Sequence, residues 1–339
     1  MHWIGLDVGG ANLKAADCDG IALTRSFPVW KEPERLTTVL GEILSAFPQC
    51  DAVAVTMTAE LADCFETKAD GVDAVLQSVE QAAANKPIFV WQTGAEFVTP
   101  QVAREIPRMV AAANWHALAT WVGRMVPTGS SVLFDVGSTT TDLIPLLRGV
   151  PVPSGLTDLE RLLSGELVYS GVRRTPLCSL ARRIPLRESD CPLASEFFAT
   201  TLDLYLTLRM IPPDPDDLET ANGKPATIAA AFDRLARMVC CDRTEFTAED
   251  AQSMAHFLAD IQQRQIAGAL QRVLQKLEPD CSHVLISGSG SFLAEKIVRS
   301  ESRLQSAKIT RLQDLIGNRT SDAACAFAVA LLASERLTV

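Results

Sequence analysis

The chain has 339 residues, of which 47% are hydrophobic and 21% are charged, and its formal net charge is −10. This composition is typical of folded cores and excludes a disordered chain, and the length favours two domains or one fold with two lobes. The acidic balance excludes a basic nucleic-acid surface, so an anionic substrate would need a metal ion or backbone N–H groups.

The cysteines and the start of the chain bear on its compartment. Nine cysteines form no CxxC pair and no Cys/His pair at zinc spacing. Most lie in apolar runs, so we interpret them as small buried side chains in a reducing compartment. The start MHWIGLDVGG lacks the basic segment of a signal peptide, and no apolar run has the length of a membrane span. We therefore expect a soluble cytoplasmic protein without a membrane partner.

The first part of the chain has the pattern of three strands, a helix, a strand, a helix and a strand. The opening strands are WIGLDVG, ANLKAADCDG and IALTRSFPV, with glycine turns between them. Hydrophobic periodicity and Val-rich runs predict the elements that follow. They are helices over 34–47, 69–84 and 107–126, the last interrupted near Asn114, and strands over 51–58 and 87–93.

The opening pattern then returns 128 residues later. IGLDVGGANLKAAD aligns with VLFDVGSTTTDLIP, which indicates an internal repeat of a whole supersecondary unit. We therefore predict two pseudo-symmetric lobes, the first over 1–128 and the second over 129–320. The aligned positions are Asp7 with Asp135, Gly9 with Gly137, Asn12 with Thr140, and Lys14 with Asp142.

The second half carries an insertion over about 156–275 that we predict to be mostly helical, with a Pro- and Asp-rich surface loop over 209–225. The predicted helices are SEFFATTLDLYLTL, ATIAAAFDRLARMVC and AEDAQSMAHFLADIQQRQIAGALQRVLQKL. Strands over 283–291 and 307–312 flank the helix FLAEKIVRS. A closing helix over about 321–337 could pack back on the first lobe.

Three glycine loops follow predicted strands. In the two repeated loops, an aspartate ends a buried strand and a glycine two residues later lets the backbone approach a ligand. Facing loops of this kind could clamp a diphosphate with Mg²⁺, although a plain hairpin turn would have the same pattern. The third loop precedes a helix, whose N-terminus favours phosphate. The predicted phosphate contacts are Gly9, Gly10, Asn12, Lys14, Gly137, Ser138, Thr139, Thr140, Gly288, Ser289 and Gly290.

The order of these three loops resembles the phosphate and adenosine loops of the actin/Hsp70/sugar-kinase superfamily. The resemblance implies an α/β fold with two ribonuclease-H-like lobes of the actin-like ATPase type. Five longer segments are similar to the hydantoinase A/oxoprolinase-like group, and within it to the branch linked to tetrahydromethanopterin one-carbon transfer. They are TMTAELADCFETKADGV, AAANWHALA, FDVGSTTTDLIP, GELVYSGVRRTP and RLARMVCCD.

This resemblance implies an ether-forming transferase of methanofuran synthesis. An aminomethylfuran-methyl diphosphate would condense with the phenol of γ-glutamyltyramine and release diphosphate, with Mg²⁺ as cofactor. The alternatives are an ATP-dependent hydrolase of the hydantoinase/oxoprolinase kind, a small-molecule kinase, and a non-catalytic nucleotide-sensing protein. In the first reading, the partner is a phosphorylated small molecule. The oligomeric state is not predicted.

The remaining candidates follow from residue type and position. Asp7 and Asp135 are expected to be catalytic and, with Asp142, to bind metal, the second loop being the more metal-dependent side. Glu60 or Asp63 could act as base and Lys68 could pair with phosphate, since they follow the strand over 51–58. Solvated ion pairs would explain these three residues equally well.

Two further groups complete the prediction. His116 could be a base, although a lone His on an apolar helix is more often a hydrogen-bonded core residue, and Asn114 beside it could contact substrate. Arg173 and Arg174 could bind the carboxylate of γ-glutamyltyramine, or could contact solvent or acids at a domain interface.

Overall fold

Two mixed β-sheets form the framework of the protein. The computed structural model describes residues 1–277 and 281–337. The first sheet has the strand order β3-β2-β1-β4-β5-β6. Its strands are β1 (Trp3–Val8), β2 (Asn12–Asp17), β3 (Ala22–Ser26), β4 (Ala52–Met57), β5 (Ile88–Gln92) and β6 (Glu96–Val98). Its helices are α1 (Leu36–Ser45), α2 (Lys68–Ala83), α3 (Pro100–Glu105), α4 (Pro107–Val110) and α5 (Asn114–Gly123).

The second sheet has the order β10-β8-β7-β13-β14, with β9 paired to β8, and β11 and β12 form a separate hairpin. The strands are β7 (Ser130–Val136), β8 (Thr141–Leu147), β9 (Val150–Pro151), β10 (Leu167–Val168), β11 (Arg183–Leu186), β12 (Ser189–Pro192), β13 (Cys281–Ser287) and β14 (Lys308–Arg311). The helices are α6 (Asp158–Ser164), α7 (Leu177–Leu180), α8 (Thr201–Thr207), α9 (Ile228–Arg237), α10 (Ala248–Lys276), α11 (Ser291–Ser300), α12 (Leu312–Ile316), α13 (Asn318–Asp322) and α14 (Ala324–Arg336).

The two sheets share one strand plan. In each, an antiparallel hairpin is followed by parallel strands: β1 pairs β2 and β4, and β7 pairs β8 and β13. The hairpin registers agree as well, since Gly9 N donates to Asn12 O at 3.1 Å and Gly137 N donates to Thr140 O at 2.9 Å. This arrangement confirms the predicted α/β fold with two ribonuclease-H-like lobes.

Helices α5 and α14 lie between the two sheets. One continuous apolar core joins residues of β1, β4 and β5 to residues of β7, β8 and β13 through these helices. α14 approaches β1 so closely that a Cβ on Gly5 would lie 1.8 Å from Ala326 O. Helices α1 and α2 cover the outer face of the first sheet, and α10 and α11 cover that of the second. The lobes therefore share a buried layer.

The insertion is less helical than predicted. Residues 165–200 contain the short strand β10, the single turn α7 and the hairpin β11–β12. Only Thr201–Thr207 of the predicted helix SEFFATTLDLYLTL is helical, because Thr200 caps α8 and breaks the apolar pattern before it. The helix over 107–126 is interrupted as predicted, at Ala111–Ala113, where Ala112 has a left-handed φ of 48°.

The cysteines and the length of the helices bear on two predictions about the whole chain. All nine cysteines are free, but only Cys50, Cys281 and Cys325 are buried, so the interpretation of most as buried side chains was wrong. Apolar neighbours in the sequence did not guarantee burial, since Cys240 lies in a left-handed turn at the end of a helix. In the described ranges 1–277 and 281–337, every helix is too short or too polar to cross a membrane.

Candidate functional site

A cleft of 1260 Å³ opens where the strand ends of the two sheets face each other. Residues of both lobes line it, including parts of all three glycine loops. Nine of the predicted site residues are among them. They are Asn12, Lys14, Asp135, Gly137, Ser138, Arg173, Arg174, Gly288 and Ser289.

Carbonyl oxygens of both repeated loops accept hydrogen bonds from the backbone of neighbouring segments. In the second loop, Ser138 O accepts from Arg173 N and Arg174 N, both at 3.0 Å. In the first loop, Gly10 O accepts from Val29 N at 2.9 Å. A peptide C=O and the N–H that follows it point in opposite directions. Gly9 N and Gly137 N are already bonded inside their turns, so this geometry leaves the N–H groups of Ala11 and Thr139 pointing away from the segments that hold the loops.

Two glycines are required by close packing around these loops. We call the segment after β10, residues 169–176, the strap. A Cβ on Gly171 in this segment would lie 2.5 Å from Gly137 O, so only a glycine lets the strap pack directly on the second loop. Gly288 has a φ of +86°, and a Cβ there would lie 2.2 Å from Val136 O. The third loop is thus held against the end of β7, where Gly290 N donates to Val136 O at 2.8 Å.

The first turn of α14 also lines the cleft, through Ala324 and Cys325. The sequence did not predict this, because the helix lies nearly two hundred residues after the second loop. Free N–H groups at a helix N-terminus favour an anion nearby. Asp322, just before α14, lines the same wall, and the charge of Lys14 partly offsets the rise that burial causes in the pKa of its carboxyl.

The two loop aspartates differ in their electrostatic surroundings. Asp135 has a pKa raised to about 7, first by burial and then by the like charge of Asp142, which Lys14 and a hydrogen bond with Ser287 partly offset. Burial also raises the pKa of Asp7, and Lys14 and the Asn114 side chain oppose that rise. Asp7 Oδ1 is buried and has no hydrogen-bond partner in the described part of the chain.

This donor set fits Mg²⁺ when the substrate supplies the remaining ligands. Mg²⁺ is usually held by one or two carboxylates together with substrate phosphates. Asp135 on the cleft wall can provide one carboxylate. Asp7 does not line the cleft, but it lies close enough to affect the pKa of Asp135 and has an unpartnered buried oxygen, so it can provide the second. Residues 1–277 and 281–337 contain no cluster of three His, Cys, Asp or Glu side chains that could hold a metal unaided.

Asp142, the third predicted metal ligand, already has a cation as its partner, and we propose that it does not join that pair. Its carboxylate forms an ion pair with the guanidinium of Arg161. Arg161 is 1% exposed, also pairs with Asp158 at 3.5 Å, and lies 4.0 Å from the ring centroid of Trp115. Asp142 is thus already neutralised by a cation. Because Trp115 belongs to the first lobe, Arg161 also joins the two lobes.

Glu60 and Lys68 lie together at the lobe junction, but not on the described cleft wall. Glu60 is 1% exposed, and its pKa is raised to about 7, mainly by burial, with Lys68 and the N–H of Ala112 opposing the rise. Glu60 Oε2 has no partner among the described residues. Lys68 stands near Glu60 and Asp158, and its pairing with phosphate stays a prediction.

His116, predicted either as a base or as a hydrogen-bonded core residue, lies outside the cleft. It lines a second cavity of 890 Å³, and its Nδ1 accepts a hydrogen bond from Trp91 Nε1 at 3.3 Å. Burial, with the nearby charges of Arg161 and Arg336, lowers its pKa to about 4, so it is a weak base. Asn114 contacts Asp7 instead of lining the cleft, so it positions a carboxylate.

The two arginines after β10 have different partners. Arg173 forms an ion pair with Asp217, an acid of the loop over 209–225. The guanidinium carbon of Arg174 lies 5.0 Å from the ring centroid of Trp30. Distant parts of the chain bring further residues to the cleft, with no local motif to reveal them. They are Trp30, Lys31, Phe197, Asp217, Ser287, Asp322 and Cys325.

Comparisons with known proteins agree with this architecture. Two relatives are named (4-{4-[2-(gamma-L-glutamylamino)ethyl]phenoxymethyl}furan-2-yl)methanamine synthase. The one from Methanocaldococcus jannaschii is 33% identical over 98% of each chain, and the one from Methanococcus vannielii is 30% identical over 61% of this chain and 91% of its own. The nucleotide-free structure of an acetone carboxylase has a TM-score of 0.55 at 9% identity, covering 97% of this chain and 70% of its own, which supports the fold alone.

The family assignment rests on a match that includes the second and third glycine loops and most of the shared helical layer. The hydantoinase/oxoprolinase family model covers residues 51–334, far more than half of the chain. The chain therefore belongs to the hydantoinase/oxoprolinase family.

Proposed function

We propose that the protein is a transferase that joins an aminomethylfuran-methyl diphosphate to the phenol of γ-glutamyltyramine and releases diphosphate. Similarity over nearly the full length to synthases named for the corresponding ether supports this reaction. The observation that carries the proposal is the pair of matching turns, in which the N–H groups of Ala11 and Thr139 point away from the segments that hold the loops, beside a cleft that contains Lys14 and Asp135. Such a cleft suits a diphosphate group between the two loops.

The chemistry at the leaving group needs charge stabilisation. The bond between the furfuryl carbon and the diphosphate oxygen breaks, and the phenol oxygen forms the ether bond to that carbon. Negative charge then grows on the diphosphate, where Lys14 and the turn N–H groups would stabilise it. Asp7 and Asp135 would hold Mg²⁺, which when bound would neutralise part of the same charge. Asn114 keeps the Asp7 carboxylate in place.

The phenol proton needs an acceptor, which we assign to Glu60. Its carboxylate has a pKa of about 7 and an unpartnered oxygen, so at neutral pH it can bind a proton. The backbone of Ala112, two residues before Asn114, lies near enough to lower the pKa of Glu60, and Asn114 in turn lies near Asp7. Ala112 has a left-handed φ of 48°, and strain of this kind is often found at functional sites.

The test is incubation of the protein with the furan diphosphate, γ-glutamyltyramine and Mg²⁺. Mass spectrometry should detect the aryl ether, and diphosphate should be released only when both organic substrates are present. Turnover that consumes ATP and yields stoichiometric ADP would contradict the proposal and favour a hydrolase or kinase. Ligand-induced closure without any product would favour a sensing protein.

A further inference from the structure

Trp30 and Arg174 meet across the mouth of the cleft. Trp30 follows β3 in the first lobe, and Arg174 belongs to the strap after β10 in the second. The guanidinium carbon lies 5.0 Å from the indole centroid, and both side chains line the cleft. A guanidinium over an aromatic face is an attractive contact. The pair therefore forms a wall built from both halves of the chain.

Backbone hydrogen bonds fix this wall directly beside the phosphate loops. Val29 N donates to Gly10 O at 2.9 Å, which places Trp30 one residue from a contact with the first loop. Arg174 N donates to Ser138 O at 3.0 Å, which ties it to the second loop. A group bound against this wall would consequently lie next to a diphosphate held by the loops.

The wall contains aromatic rings and cations that are not paired with any acid of the described residues. Phe197, which is 55% exposed, lines the same cleft and adds a second ring. Arg173 is neutralised by Asp217, whereas Arg174 and Lys31 have no acid within ion-pair distance in the described ranges. Exposed aromatic side chains in a concave site are typical of ligand contacts, since binding covers them. Such a wall suits an aromatic ring that carries an anionic group.

We propose that Trp30, Arg174 and Phe197 form the ring subsite for the phenolic acceptor, with Lys31 at its outer end facing the acceptor's carboxylate. The assignment rests on the proposed function and extends it, because it names the residues that select the acceptor. The phenol ring would pack on Trp30 and Phe197, and its oxygen would point inward to the carbon that leaves the diphosphate. The furan diphosphate is held by the loops, so it should depend little on this wall.

The test compares Trp30→Ala and Phe197→Ala with Phe198→Ala, a neighbouring ring that does not line the cleft. Steady-state kinetics should show a KM for γ-glutamyltyramine about tenfold higher in the first two variants, with the KM for the furan diphosphate unchanged. Trp30→Phe should recover most of the loss, and Phe198→Ala should match the wild type. Retained Mg²⁺-dependent diphosphate binding would show that the variants are folded.

An unchanged acceptor KM in both alanine variants would overturn the ring subsite, and so would an equal rise in the KM of the furan diphosphate. Failure of the proposed function would look different, because the wild type would then form no ether at all. Direct calorimetric titration with γ-glutamyltyramine separates the two cases. If the wild type binds this compound without forming ether, weaker binding by Trp30→Ala supports the subsite, and equal binding refutes it.

Discussion

Asp135 stands directly opposite Asp142 across the second hairpin, at the register position where the first hairpin pairs Asp7 with Lys14. The first loop therefore contains its own counter-charge, whereas the second places two like charges face to face. Arg161 neutralises Asp142 from outside the hairpin, and Asp135 is left with a pKa raised to about 7. We therefore predict that the second loop is the side of the cleft that gains more from a bound cation.

The metal assignment can be tested with three matched substitutions. Asp7→Asn and Asp135→Asn should each weaken Mg²⁺-dependent diphosphate binding by at least about tenfold, since each removes a ligand oxygen. Asp142→Asn should keep the Mg²⁺ dependence, because Asp142 is paired with Arg161. Isothermal titration with diphosphate, with and without Mg²⁺, measures these effects. Equal losses in all three variants would restore Asp142 to the metal site, and the exposed Asp260→Asn is the control.

The raised pKa of Glu60 predicts a pH-dependent stability difference. The folded state holds the Glu60 proton more tightly than the unfolded state does. The free energy of unfolding therefore falls as pH rises from 4.5, the ordinary pKa of a glutamate, to about 7, the pKa of Glu60 in the folded protein. Glu60→Gln removes this penalty and should raise the free energy of unfolding at pH 8 by up to about 3 kcal/mol. Little difference is expected at pH 4.

Urea denaturation of both proteins at pH 4, 6 and 8 measures this trend, and the same variant should lose ether formation. Glu66→Gln, an exposed change in the same loop, should alter neither property. A Glu60→Gln protein that keeps full activity would remove Glu60 from the role of proton acceptor. An unchanged stability profile would show instead that the Glu60 carboxylate is well solvated in the folded protein.

Arg161 should contribute strongly to the free energy of unfolding, because its charged side chain is buried and pairs with two acids. Arg161→Ala leaves the carboxylates of Asp142 and Asp158 without their cation and should cost about 3–5 kcal/mol. Arg243→Ala breaks a pair whose arginine side chain is 75% exposed, so its cost should stay below about 1 kcal/mol. Thermal and urea unfolding measure both. Combining Arg161→Met with Asp142→Asn should recover part of the loss, and no recovery would mean that the contact with Trp115 dominates.

Gly171 should be intolerant of a side chain for a geometric reason. A Cβ there would lie 2.5 Å from Gly137 O, so Gly171→Ala must displace either the strap or the second loop, at a cost of about 1–3 kcal/mol. We expect weaker diphosphate binding as well. A Cβ on Gly268 in α10 would have no atom within 4 Å. Gly268→Ala should therefore stabilise the protein by about 1 kcal/mol, because alanine favours a helix more than glycine does. Equal behaviour of the two variants in unfolding and titration experiments would contradict the tight contact.

The repeated hairpins were predictable because local sequence determines them. A continuous apolar run, an aspartate near the end of the strand and a glycine turn occur in both copies, so Asp7 and Asp135 could be matched before any tertiary contact was known. The closing helix was predictable for the same reason. We expected that it could pack back on the first lobe, but its position between both sheets, with Cys325 on the cleft wall, was not predictable from its apolar pattern.

The sequence by itself therefore determined the two-lobed α/β plan, its loops and the acids at the strand ends, since these follow from periodicity and turn chemistry. Only the tertiary structure decided which charges are neutralised and which face the cleft. Asp142 meets Arg161, His116 meets Trp91, and Trp30 meets Arg174. Each of these pairs joins residues that no local pattern connects. Burial and long-range contacts, which set the charge and reach of a side chain, exist only after the chain has folded.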